Sequence, residues 1–262
     1  MPLSGAARNH RNGRVRANGQ RGVHVYDDKF AEIYAAFYER TGKDYGAEAE
    51  ELSKLISERF PEASSLLDVA CGSGRHLESL RNLYGHVEGV ELSAGMLGVA
   101  RRQLPGVPLH EGDMRDFSLE RSFSVATCLG SSIGHVGTVE GLQSALKCFA
   151  RHVEPGGVIV VEPWWFPETF LEGYVGGAVV TEEGRSVARL SRTTREGNET
   201  RVTVHFAVSD RDEGLWHITD DYPLTLFERD EYEGAFRAAG CQVEYLDDGG
   251  SLGRGLFVGT RS

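Results

Sequence analysis

Several signals that would narrow a 262-residue sequence at once are missing. Its four cysteines, Cys71, Cys128, Cys148 and Cys241, stand far apart, with no C-x-x-C and no paired metal-ligand spacing. That excludes a zinc ribbon, a dithiol centre and a disulfide framework, and reduced thiols in the cytoplasm are expected. No apolar run approaches a membrane span. Residues 1–24 hold five arginines and no acid, yet lack the apolar stretch of a signal peptide, so a disordered basic tail is expected ahead of a folded domain at 25–262. Beyond that tail positive charge is scarce, 23 basic against 39 acidic side chains, and the whole chain carries −11. Nucleic acid and anionic membrane are therefore excluded as main partners.

What is present centres on Leu66-Leu67-Asp68-Val69-Ala70-Cys71-Gly72-Ser73-Gly74-Arg75-His76-Leu77. The apolar run reads as a buried parallel strand, and Gly72 and Gly74 as a turn that lets a ligand approach the backbone. Leu77 and Leu80 begin a helix, so backbone N–H groups point beyond the carboxyl end of the strand. A third glycine, which a dinucleotide fingerprint requires, is absent; its place is taken by Leu77. Glu91 closes a second strand at 85–92, where a carboxylate can accept both hydroxyls of a ribose. Together these predict a nucleoside site without a pyrophosphate.

Two helices, 27–40 and 47–59, precede this strand, the first with Phe30, Ile33, Tyr34, Phe37 and Tyr38 on one stripe. Strands and helices then alternate: a helix after Ser93, a strand at 123–129, a helix over 138–152 closed by Pro155-Gly156-Gly157, and a strand at 158–161. From 178 to 226 the period becomes two, which predicts an antiparallel meander. A helix at 230–239 and strands at 243–246 and 255–259 finish the chain. The fold class expected is α/β: a mostly parallel sheet flanked by helices, with a core at 60–168, an antiparallel β insertion at 175–227 and closing elements at 228–262.

With these residues assembled, the sequence resembles the class I (Rossmann-like) S-adenosylmethionine-dependent methyltransferases. The resemblance rests on Leu67 to Gly74, then Gly89-Val90-Glu91-Leu92-Ser93, then Gly112-Asp113-Met114, in order. More narrowly, it is similar to N,N-dimethyltransferases acting on dTDP-3-amino-3,6-dideoxyhexoses, the desosamine- and mycaminose-type antibiotic sugars. Val161-Glu162-Pro163-Trp164-Trp165-Phe166-Pro167-Glu168 and Gly253-Arg254-Gly255-Leu256-Phe257 carry that narrower resemblance, with Ser131-Ser132-Ile133-Gly134-His135 ahead of them. Leu129-Gly130 departs from the bulkier residues of such relatives.

The resemblance implies S-adenosylmethionine as cofactor, a dTDP-aminosugar as substrate and a homodimer, for which the meander offers a surface. It implies cofactor contacts from Tyr34, Tyr45, Asp68, Ala70, Gly72, Gly74, Glu91, Leu92, Met96, Asp113 and Met114. Glu91 would take the ribose hydroxyls, and Asp113 the adenine amino group. Methyl transfer to an amine is an in-line displacement that needs a neutral lone pair on the S–CH3 axis. His135, after a strand on the ligand side of the sheet and titrating near neutrality, is the candidate base, with Tyr26 to orient the amine or sugar. Glu162, Trp164, Trp165 and Arg254 are the substrate candidates. Arg254 is expected at the diphosphate, with Arg189 and Arg201 on the meander as weaker choices. Methylation of another small amine or of a hydroxyl, and a nucleoside-binding protein without catalysis, stay open as alternatives.

Overall fold

The computed structural model describes residues 28–248 and 253–262; the predicted tail and Tyr26 lie outside the described residues. A fully buried strand, β1 (Ser65–Val69), sits near the middle of a seven-stranded sheet. It pairs in parallel with β2 (His86–Glu91) and β4 (Phe123–Cys128), which sets Asp68 opposite both Gly89 and Thr127. β3 (Leu109–Glu111) forms one edge, and β5 (Val153–Val161) continues in parallel beyond β4. The last two strands, β10 (Cys241–Leu246) and β11 (Leu256–Arg261), are antiparallel, so the order is β10-β11-β5-β4-β1-β2-β3. The apolar runs of β1 and β4 lack alternation because both faces are covered. On one face lie Leu146 and Phe149 of α5 (Val139–Arg151) with Tyr232 and Phe236 of α6 (Arg229–Ala238). On the other lie Leu52 and Ile56 of α2 (Tyr45–Ser57) with Leu77 and Leu80 of α3 (Arg75–Leu80).

Capping follows the sequence closely. The Ser93 hydroxyl accepts the Met96 N–H at the start of α4 (Ala94–Gln103), and Thr138 accepts from Gly141 at the start of α5. One expectation is revised. Pro155-Gly156-Gly157 does not close the helix; it lies inside β5, which begins at Val153. Register shifts between Phe123 and Val125, and the chain bulges at Gly156, where φ is +82°. A side chain at Gly157 would come 2.6 Å from the Ser124 carbonyl, so the glycines that resemble a helix stop serve a close strand approach.

The period-two region forms a separate four-stranded antiparallel sheet, β6 (Val175–Glu182), β7 (Arg185–Glu196), β8 (Glu199–Asp210) and β9 (Gly214–Thr225). Val202, Val204, Phe206 and Val208 of β8 are buried against α1 (Asp28–Glu39). Phe30 and Phe37 meet Phe206 edge-on, each with centroids 5.6 Å away. The opposite stripe of α1, Ala31 and Ala35, packs on Met96 and Val99 of α4. Thus α1 stands between the two sheets and holds the meander over the carboxyl ends of β1, β2 and β4.

Candidate functional site

The site begins where β1 ends. Ala70, Gly72 and Gly74 all have positive φ (57°, 57° and 84°), and the Gly74 N–H closes a tight turn onto the Cys71 carbonyl at 2.9 Å. At Gly72 nothing lies within 4 Å of where a side chain would start, whereas at Gly74 one would meet Leu104 Cδ1 at 2.6 Å. Gly72 therefore faces open ligand space, and Gly74 serves the packing of the turn. The Glu91 carboxylate accepts the Gly72 N–H at 2.9 Å through one oxygen and the Ser93 N–H at 2.8 Å through the other. Those bonds fix it beside the turn, while burial pushes its pKa up. Each oxygen keeps lone-pair capacity, so a vicinal diol fits there. Asp68, 2% exposed, accepts from Thr127 Oγ1 at 2.8 Å, and burial, with Glu91 nearby, raises its pKa to about 6.

Around these groups lies a cavity of about 710 Å³. Tyr34, Tyr45, Asp68, Ala70, Gly72, Glu91, Leu92, Met96, Asp113 and Met114 all line it, with His135, Trp164, Trp165 and Arg254. Of the described candidates, Gly74, Glu162 and Arg201 do not. Asp113 is held in a fork by Arg115, whose Nε and backbone N–H lie 2.9 Å and Nη2 2.5 Å from its carboxylate. Burial alone would raise the Asp113 pKa; the arginine overrides it and holds the acid below its ordinary range. His135 sits in a 3-10 turn (Ser132–Val136), half-buried, with its ring 5.5 Å from Tyr222. That turn is tied down through Ser131 Oγ to the Pro163 carbonyl at 2.6 Å and Thr225 Oγ1 to the Gly137 carbonyl at 3.1 Å.

Trp164 donates its indole N–H to Thr200 Oγ1 at 3.0 Å, and Thr200 donates to the Leu224 carbonyl at 2.8 Å. The Arg254 guanidinium lies over both tryptophans, 4.9 and 5.2 Å from their centroids. It is 7% exposed, and its Nε and Nη2 have no hydrogen-bond partner among the described residues. Its nearest acid is Glu162 Oε1, 4.0 Å from Nη2 and also without a partner; the second Glu162 oxygen accepts the Gly130 N–H at 2.7 Å. Glu162 stands behind this wall rather than in it.

Sequence reasoning missed part of the meander's contribution. Tyr222 and Ser191 line the cavity, and Arg189 does so with Nη1 3.0 Å from Ser191 Oγ and its guanidinium near Tyr38. The available signal was a break in pattern: inward positions of β8 from Val202 to Val208 are all apolar, but those of β7 run Val187, Arg189, Ser191, Thr193. Arg201 points to the outer face and pairs with Asp221 at 2.7 Å, so the fold does not bring it to the cavity.

The family profile described as "Methyltransferase domain" matches residues 66–157. The chain is 54% identical over 236 residues to the dTDP-3-amino-3,4,6-trideoxy-alpha-D-glucopyranose N,N-dimethyltransferase of Streptomyces venezuelae, covering 90% of this chain and 99% of that protein. It is 51% identical to the dTDP-3-amino-3,6-dideoxy-alpha-D-glucopyranose N,N-dimethyltransferase of Streptomyces fradiae, covering 89% and 91%. Among solved structures, Streptomyces venezuelae DesVI superposes with a TM-score of 0.86 over 90% of this chain and 100% of that one, at 54% identity. The amino pentose methyltransferase CalS10, solved with S-adenosylmethionine bound, superposes with a TM-score of 0.80 at 45% identity, covering 92% and 99%.

Proposed function

Because this chain belongs to the S-adenosylmethionine-dependent dTDP-aminosugar N,N-dimethyltransferases, we propose that its cavity carries out the transfer to the 3-amino group of a dTDP-linked amino-deoxyhexose. One observation carries the assignment of parts: a diol acceptor, Glu91, and an arginine with unpartnered donors, Arg254, line one cavity with His135. The β1 turn would hold the adenosyl group, Glu91 its ribose, and Asp113, Met114 and Leu92 its base. Tyr34, Tyr45, Ala70, Gly72 and Met96 would enclose the rest, and Asp68 would hold the methionyl ammonium.

The sugar amine arrives mostly protonated, since a free amine titrates well above pH 7. Tyr34, Tyr222 and Trp164 exclude water from the cavity, which favours the neutral amine. His135 orients that amine and takes its proton, with Tyr26 as the second orienting group. Held by the residues at the β1 turn, the cofactor would supply the methyl group, the C–S electron pair staying on sulfur as the N–C bond forms. The diphosphate is held by Arg254 and Arg189. Of the cationic residues lining the cavity, Lys43, Arg75 and Arg115 already have carboxylates within 3.1, 2.7 and 2.5 Å, whereas among the described residues Arg254 has its nearest at 4.0 Å and Arg189 has no ion pair. Trp164 and Trp165 flank the sugar, and Glu162 supports them from behind.

We further assign the protein to the cytoplasm and to a homodimer. The outer face of the meander exposes Val175, Val179, Leu190 and Leu215, an apolar surface that a second copy would cover, which light scattering checks. No described helix is long and apolar enough to cross a membrane. Incubation with S-adenosylmethionine and a dTDP-3-amino-3,6-dideoxyhexose, read by mass, should show one or two added methyl groups; no added mass would overturn the assignment. His135→Ala should lower kcat by about 100-fold with cofactor affinity changed less than about 3-fold. Unchanged turnover would remove His135 from the mechanism.

A further inference from the structure

Behind the wall formed by Arg254 and Glu162 lies a second cavity of about 500 Å³. It is bounded by α2, the ends of β4 and β5, and the facing ends of β10 and β11. It shares only His76 and Leu129 with the first. Leu52, Leu55 and Leu256 give it an apolar side, next to Tyr245 and to Glu48, which is held 3.0 Å from His76; its mouth carries the exposed carboxylates of Glu51, Asp248 and Asp247, the last paired with Arg229 at 3.2 Å. At its inner end is Glu162, 2% exposed, with Oε1 buried and accepting no hydrogen bond. The Arg254 guanidinium, 4.0 Å away, is beyond hydrogen-bond reach and lies on the other cavity's side.

A buried carboxylate oxygen without a donor is costly, and one is kept where a ligand supplies the missing proton. The surroundings restrict that ligand. Acids at the mouth repel anions. The leucine walls offer nothing to a small hydrated cation, and no group of described His, Cys, Asp or Glu side chains is arranged to hold a metal ion. A cation with one N–H and an apolar body satisfies all three: the N–H donates to Glu162 Oε1, the charge is balanced by the acids, and the body lies on the leucines. We propose that this second cavity is a binding site for a protonated tertiary amine borne on an apolar framework. Such an amine is what N,N-dimethylation produces, so the site can respond to the products of the pathway it serves; that link, unlike the chemistry of the cavity, rests on the proposed function. Because His76 and Leu129 border both cavities, an occupant here touches residues that also border the cofactor.

The probe is benzyldimethylammonium, titrated into the full chain with leucine methyl groups isotopically labelled and S-adenosylhomocysteine filling the first cavity. Saturable shifts of the Leu52, Leu55 and Leu256 methyls are expected. Isobutylbenzene, the same shape without the nitrogen, and phenylacetate, of opposite charge, should bind at least about 10-fold more weakly. Glu51→Lys at the exposed mouth should weaken the probe about 5-fold, and Leu55→Trp, which fills the space, should abolish its shifts; both should methylate substrate as the parent does. If Leu55→Trp does not fold, Glu51→Lys decides. The proposal is overturned if no saturable shift occurs, if isobutylbenzene or phenylacetate binds as tightly, or if Glu51→Lys leaves probe affinity unchanged. Probe binding without turnover of the sugar nucleotide would uphold this site and overturn the assigned reaction instead.

Discussion

Asp68 shows how one side chain can serve the ligand at the expense of the fold. It is buried, neighbours Glu91, and titrates at about 6 instead of its ordinary 3.8. The folded state therefore holds a proton that the unfolded chain has already released between pH 4 and 6. Stability falls across that interval as pH rises and stays at the lower value above it, a loss of about 3 kcal/mol without ligand. A bound ammonium reverses the sign, because the carboxylate is then paired. Asp68→Asn should accordingly raise the melting temperature of the ligand-free protein at pH 7.5 while weakening S-adenosylmethionine by about 10-fold. Cofactor affinity of the parent should drop as pH falls through about 6, and the variant should lose that dependence. Calorimetric titration at pH 5.5 and 7.5 separates the cases: equal affinities for parent and variant at pH 7.5 would place the ammonium elsewhere.

At the scale of elements, the decisive joint is between β8 and the end of β5. Thr200, fully buried, accepts the Trp164 indole N–H and passes its own proton to the Leu224 carbonyl. Thr200→Val keeps the volume but leaves one buried donor and one buried acceptor without partners, at about 1–3 kcal/mol. Since Trp164 packs on Arg254, the loss should appear as a raised KM for the sugar nucleotide, with cofactor affinity unchanged; a change confined to cofactor binding would show that Trp164 does not contact the sugar. None of this joint could be read from the sequence. The parallel core was legible because each of its elements announces itself locally, through an apolar run, a glycine turn or a serine cap such as Ser93. Glu91 was legible because it ends a strand next to that turn. The meander's inner face was not: the same period of two holds for Val187 and for Arg189, and only the three-dimensional placement of α1 reveals that one is core and the other cavity wall. Pro155-Gly156-Gly157 failed for a related reason, since a bulge and a helix stop draw on the same residues.

The whole molecule presents a contradiction of charge. A chain of net charge −11 must take up a sugar nucleotide whose diphosphate makes it anionic despite its ammonium. Two fields act on that ligand at different ranges. At long range the net negative charge repels it, and this repulsion is screened over about 8–10 Å at physiological salt. At contact, on the assignment proposed above, Arg254 and Arg189 attract it from within a cavity walled by Trp164, Trp165, Tyr38 and Tyr222, where solvent ions screen poorly. Raising salt therefore removes the repulsion first. Association of dTDP should speed up by about 2- to 5-fold between roughly 20 and 150 mM salt, while its dissociation changes little. Arg254→Gln should act on the other limb, raising the dissociation rate with the salt response of association intact. Stopped-flow measurements over that range test both. An association rate that falls with salt would mean that the arginines' local field, and not the acidic body, governs approach, and would transfer control of substrate capture from the molecule as a whole to the two residues at its centre.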